Sequence, residues 1–175
     1  MVAARTPNVT RTPSPSRRTP AAAKRAGGVR RTTRTSWETK LRPDMEARVV
    51  DDRGRGGRLL LPTPLLVAES VASIPAGKVL TISQLREQLA RRFRADSTCP
   101  LMTGMFATIL AGVVVEDLGQ HRKPRWPIWR LVRDDGTLHP KWPLGPLYRA
   151  TLLRQEGVRL THRNGHWAAM DTDQS

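Results

Sequence analysis

A mainly α domain with a small β-ribbon, its elements in the order of a winged helix-turn-helix, is the fold class that residues 62–170 predict. Three observations carry that expectation. Two short segments with helical apolar spacing, about 83–93 and 100–112, follow a strand-like Lys78-Val79-Leu80-Thr81. Turn signals at Asp134-Asp135-Gly136 and Asn164-Gly165 sit between extended stretches, as a β-ribbon requires. Ahead of all this lies a basic stretch with almost no large apolar residue, which predicts a disordered basic arm rather than a second domain.

Each element has a local cause. Thr63 is an N-cap with Pro64 at the first helical position, and Leu65, Leu66, Ala68, Val71, Ala72 and Ile74 keep helical spacing, so a helix is expected at about 64–73. Pro75-Ala76-Gly77 breaks it, and Val79-Leu80-Thr81 is a short strand. Ser83 is the expected cap of the 83–93 helix. Ile82, Leu85, Leu89 and Phe93 form its apolar side, and Arg86, Arg91, Arg92 and Arg94 face outward. Pro100 opens the 100–112 helix, in which Leu101, Met105, Ile109 and Gly112 recur at spacing three to four. Residues 113–125 are ambiguous by pattern, with Glu116, Asp117, Gly119 and Gln120 to Lys123 resembling a solvated loop, and Trp126 to Val132 read as extended. Leu147 to Glu156 is a helix stopped by Gly157. Val158–Thr161 and His166–Ala169 form a hairpin around Asn164-Gly165.

The expected organisation is a disordered basic arm (1–36), a flexible linker with a short packing segment (37–61), the folded domain (62–170) and a disordered tail (171–175). The 175 residues carry 30 Lys+Arg against 15 Asp+Glu, a net +15, with a pI near 11.6. Residues 1–40 hold ten basic residues against one acid, a net +9, and the other 135 residues a net +6. Such a balance excludes an acidic solvating chain and favours a polyanionic partner, nucleic acid or an anionic surface. The arm residues Arg17, Arg18, Arg30, Arg31 and Arg34, with Arg91, Arg92 and Arg94, are candidates for non-specific phosphate contacts. Residues 1–35 are also Arg-, Thr- and Ser-rich and acid-free, as transit peptides are, though the arm reading is preferred. No apolar run is seen that approaches the roughly 18 residues a membrane span needs, so no membrane partner is expected.

The single cysteine, Cys99, excludes an internal disulfide and a multi-Cys zinc site. It precedes Pro100 at a helix start, where a helix dipole lowers a thiol's pKa; the plainer reading is a small capping residue. Trp126, Trp129 and Trp142 read either as a stacking surface for an extrahelical base or as filling beneath the β-ribbon. His162 and His166 are four apart but flank a hairpin turn, so neither a metal nor a cofactor is expected.

Five blocks recur in order: Ile74 to Thr81, Ser83-Gln84-Leu85, Pro127 to Val132, Asp135-Gly136, and Leu152-Leu153 with Glu156-Gly157. In this order they resemble the DNA-binding domain of the methylated-DNA–protein-cysteine methyltransferases, the O6-alkylguanine-DNA alkyltransferases. The resemblance spans about residues 62–160. It implies a winged helix that enters the minor groove and turns out an alkylated guanine, with an acceptor cysteine in a Pro-Cys-His-Arg motif. Here that motif reads Pro127-Ile128-Trp129-Arg130. Ile128 has no nucleophilic atom and the Trp129 indole is no base, so alkyl transfer by that route is chemically excluded. Ile82 stands where the family has a nucleotide-rotating tyrosine, and Leu101 where it has an intercalating arginine. Arg130, Gly104 and the Glu156-Gly157 end are kept.

The chain is therefore similar to the alkyltransferase-like proteins, which also lack the cysteine. The resemblance implies a non-enzymatic protein that recognises alkylated or distorted duplex DNA in DNA repair. Thr81, Ser83, Gln84, Thr98, Leu101, Met102, Thr103, Met105 and Arg130 are its candidate DNA contacts. Ile82, Trp126, Trp129 and Glu156 are its candidate base-pocket residues. RNA bound through the arm is left open, and a cytoplasmic, nucleoid-associated monomer is expected. Two alternatives stand beside it, a methyltransferase with Cys99 as acceptor and a protein-interaction module that reuses the fold.

Overall fold

The structure is a computed structural model that describes residues 35–54 and 56–170. Residues 1–34, including Arg17, Arg18, Arg30, Arg31 and Arg34 of the expected arm, and the expected tail 171–175 lie outside the described residues.

Four helices carry three small sheets. A 3-10 turn, Glu38–Leu41, leads to β1 (Arg48–Asp51) and β2 (Arg58–Leu61), an antiparallel pair. α1 (Pro64–Ala72) follows, then β3 (Leu80–Thr81), α2 (Ile82–Arg92), β4 (Ser97–Thr98) and α3 (Pro100–Gly119). β4 joins β2 in parallel to complete the first sheet. A second 3-10 turn, Ile128–Arg130, runs into β5 (Leu131–Val132), which pairs in parallel with β3. α4 (Pro146–Gln155) and the antiparallel hairpin β6 (Leu160–Arg163) and β7 (His166–Ala169) end the described chain. Thr137 bridges Ala168, so the 136–138 segment lies along β7.

The caps explain the helix starts. Thr63 Oγ1 accepts from Leu66 N at 3.1 Å, with Pro64 in the first turn. At α2 the expected Ser83 cap moves to Thr81. Thr81 Oγ1 accepts from Gln84 N at 3.1 Å while Gln84 Oε1 accepts from Thr81 N at 2.8 Å, a reciprocal capping box. Ser83 N instead donates to Asp134 Oδ1 at 2.9 Å. Thr81→Ala is expected to cost about 1 kcal/mol in urea unfolding, the usual worth of such a cap.

The expected linker, 37–61, is structured. Trp37 packs on Gly112, where an added Cβ would lie 2.2 Å from Trp37 Cδ2. Leu41 and Leu60 are buried in the core. The Arg53–Arg58 stretch is the β1–β2 turn: Asp52 N donates to Gly57 O and Gly56 N to Asp52 O, both at 2.8 Å, and Gly56 and Gly57 take φ of 75° and 83°. Its glycines, read as linker composition, are the residues that let the chain reverse.

α3 runs seven residues beyond its expected end. Nothing between Val113 and Gly119 breaks a helix, Val113 and Val114 are buried, and Glu116 and Asp117 both find partners. The lengthened helix is long and apolar enough to cross a membrane by length and composition, which corrects the expectation from the sequence. Of its most apolar stretch 56% is buried in the protein, and the helix packs on α1, α2 and both 3-10 turns. Residues 126–132, expected extended, turn through the Ile128–Arg130 3-10 turn first.

Two apolar clusters result. The larger joins α1, α2 and α3 with Leu60, Ile128, Leu131 and Trp142. The smaller holds Val79, Val132, Leu138, Ala150, Leu153 and Val158 under the C-terminal hairpin.

Candidate nucleic-acid interface

The first turn and a half of α3 carries Leu101, the most exposed large apolar side chain among the described residues. Leu101 is 79% and Met105 49% exposed, Met102 is half-buried, and beside them Gly104 opens onto empty space. Thr103 is fully buried, its hydroxyl donating to Cys99 O at 2.8 Å, so it is not on this surface. Cys99 is half-buried and occupies the cap position of α3 without a side-chain capping bond.

The segment before α3 is fixed from behind. Arg86 Nε donates to Thr98 O at 3.0 Å, and Thr98 Oγ1 donates to Arg86 O at 2.8 Å. Arg86, expected to face outward, thus turns in. Thr98, expected at the interface, is buried and acts from beneath it.

The end of α2 carries the outward cations. Arg91, Arg92 and Arg94 are exposed. Arg92 pairs loosely with Glu69 at 3.3 Å, and Arg94, at φ 52°, offers its carbonyl to Arg58 Nη1 at 3.0 Å. A cleft of about 550 Å³ lies between the Ser73–Leu80 loop and the outer face of α2, with Lys78, Gln88 and Arg91 on its wall. The start of α2 offers less than expected: Thr81 is buried, and the Gln84 side chain and Ser83 amide are engaged as described above.

The Pro127–Arg130 segment is built around a carboxylate. Ile128 is fully buried in the larger cluster. Arg130 grips Glu156 with Nε to Oε2 and Nη2 to Oε1, both at 2.8 Å, and Nη1 donates to Ile74 O. Trp129 Nε1 donates to Glu156 Oε1 at 2.9 Å. The pair is only 15% and 16% exposed. Burial pushes the Glu156 carboxyl up, but the Arg130 and Trp129 bonds and the Arg130 charge outweigh it and hold it below its usual range. Arg130 and Glu156 are therefore spent on each other. Ile82 and Trp126 are half-buried against the same core, and Trp142 is buried, stacked on His139 at 5.4 Å.

Two groups escaped the sequence reading. Arg149 is fully buried under a Trp142 ring 4.6 Å away, with Nη2 bonded to Leu131 O, Nη1 to His139 O and Nε without a partner; burial pulls its guanidinium down to about 9. Nothing in the helical pattern marks it apart from Arg154, the other arginine of α4. Asp117, read as a loop acid, is buried and holds Arg122 at 2.8 Å and Arg125 at 3.1 Å. Among the described residues no three His, Cys, Asp or Glu side chains converge on a possible metal position.

The chain matches no family model and no curated protein. It is similar to two solved structures from S. pombe, one of ATL in complex with DNA and one of Atl1 in complex with damaged DNA containing O6-carboxymethylguanine. Each is 20% identical with a TM-score of 0.43, covering 62% of this chain and 88% and 87% of those chains.

Proposed function

We propose that the protein is a non-enzymatic, duplex DNA-binding protein of the alkyltransferase-like type, with α2 and α3 as a helix-turn-helix, α3 as its reading helix and the C-terminal hairpin as its wing. The observation that carries this is the exposed Leu101 and Met105 at the start of α3, on a chain of net +15 whose α2 ends in the outward Arg91 and Arg94. An apolar side chain held in water by a rigid helix start, on a strongly basic chain, fits insertion between base steps once the phosphates are held. The buried Ile128 at the acceptor position supports recognition without alkyl transfer. It has no nucleophilic atom, and no substrate carbon can reach it. The partner is duplex DNA with an alkylated or otherwise distorted step, met by a cytoplasmic, nucleoid-associated monomer. The basic residues of the N-terminal stretch add sequence-independent affinity.

Binding to a short duplex is expected to fall steeply with salt, with a log–log slope of about −0.9 per phosphate neutralised. In competition, a duplex with one O6-alkylguanine is expected to win by tenfold or more, about 1.4 kcal/mol. Leu101→Ala removes that preference and leaves the salt slope unchanged. A flat salt dependence sinks the DNA reading, and equal affinity for the two duplexes sinks the lesion reading.

The same apolar patch also suits a protein partner. That second reading gains if capture of a partner survives nuclease and is lost in Leu101→Ala.

A further inference from the structure

The first-turn amides of α2, which in a helix-turn-helix commonly meet a phosphate, are already taken in this protein. Thr81 Oγ1 holds Gln84 N, and the Asp134 carboxylate holds Ser83 N at 2.9 Å. An internal anion sits where a DNA phosphate would dock. Backbone contact on this side of the domain must then come from another element.

The same segment that supplies Asp134 leads into the C-terminal hairpin. Leu138 N donates to Trp167 O at 2.8 Å and Ala169 N to Gly136 O at 3.0 Å, so 136–138 is bridged to β7 along its outer edge. The hairpin is braced from below. Leu160, Trp167 and Ala169 pack on the smaller apolar cluster, and the Arg154 guanidinium lies 4.3 Å from the Trp167 ring centre. Its tip, from His162 to His166, is exposed and turns through Asn164 at φ 50° and Gly165 at φ 78°. Arg163 at this tip has no partner among the described residues. Of the acids nearby, Glu156 is consumed by Arg130, and Asp135, which shares a concavity with Arg163, accepts from Thr137 N at 2.9 Å and Thr137 Oγ1 at 2.6 Å. The tip thus presents a guanidinium, the His166 imidazole and an Asn amide, while His162 leans on the Trp167 ring at 4.7 Å.

Resting on the DNA-binding reading above, we propose that the β6–β7 tip is the phosphate-contacting element that replaces the blocked start of α2, with Arg163 as its anchoring side chain. A planar guanidinium fork on a braced ribbon matches a phosphate bidentately and loses little side-chain freedom on binding. An apolar protein partner finds nothing to bury at this tip.

The test uses the full chain, a short duplex with and without O6-alkylguanine, and a salt titration of Arg163→Ala, Arg163→Glu and Arg163→Lys. Arg163→Ala is expected to make the log–log slope shallower by about 1 and to weaken both duplexes equally. Arg163→Glu weakens both further, and Arg163→Lys keeps most of the slope. All three keep the thermal midpoint, because the side chain is exposed. Wild-type binding with Arg163→Ala and Arg163→Glu unchanged in slope and affinity overturns the hairpin proposal and leaves the DNA-binding reading standing. Loss of only the lesion preference overturns it as well, because a phosphate contact is blind to the base. Absence of wild-type binding at low salt overturns both.

Discussion

Glu156→Ala is expected to lower the stability of the folded chain by about 3–5 kcal/mol, the usual consequence of removing one partner of a buried ion pair. Among the described residues the carboxylate is the one anion on Arg130, which grips it with two bonds of 2.8 Å at 15% exposure, and it also holds the Trp129 indole. Truncation leaves a guanidinium in a poorly solvated place, bonded only to the Ile74 carbonyl. Glu156→Gln keeps the size and the acceptor oxygen but not the charge, so its loss should be clearly smaller. Urea unfolding with an unchanged m-value is the measurement, and a loss under 1 kcal/mol for Glu156→Ala refutes the account.

The pH dependence follows from the same site. The folded Glu156 carboxyl titrates below its ordinary 4.5, despite burial acting the other way. The stability it lends is therefore complete above the unfolded value and drains away as pH falls through the lowered folded value. The wild type should lose stability on acidification below about pH 4.5, and Glu156→Gln should lose less over the same interval.

What was legible in the sequence is what neighbours in sequence decide. Thr63-Pro64 starts α1, Asn164-Gly165 turns the hairpin and Gly157 ends α4, because each acts on residues within one turn of itself. Several of the misreadings depend on partners outside the local sequence window. Arg53 to Arg58 resembles a linker until β2 meets β4, whose residues lie 38 positions away. Glu116 and Asp117 read as loop acids because their donors are Ser36, Trp37, Arg122 and Arg125. Thr98 and Thr103 looked like groove readers because hydroxyls near a helix start suit that task. Burial gives them to the backbone instead. The interface residues that remain outward, Leu101 and Met105, were legible as helix positions. Their exposure follows from the packing of α3's opposite side onto α1 and α2.

Asp117→Ala is the second large loss expected, about 2–3 kcal/mol. Asp117 is 1% exposed and accepts from Arg122 Nη2 at 2.8 Å and from Arg125 Nε at 3.1 Å. Its carboxyl, raised by burial and lowered more by Arg125 and Arg122, stays below its ordinary 3.8. The loss is smaller than at Glu156 because Arg122 and Arg125 are 48% and 36% exposed, so water takes up the orphaned cations. The damage should also be local in a particular way. Arg125 binds Glu38 at 2.7 Å, and the adjacent Glu116 accepts from Ser36 Oγ at 2.8 Å and Trp37 N at 2.7 Å. Freed from Asp117, Arg125 no longer holds the 3-10 turn to the far end of α3, and amide exchange at Thr39–Leu41 should quicken more than exchange in α1 or α2. Because Leu101 lies at the opposite end of α3, about 24 Å away at 1.5 Å per residue, DNA affinity measured well below the unfolding midpoint should stay unchanged. Equal quickening across all helices would mean that Asp117 supports the whole domain rather than the root of the N-terminal stretch.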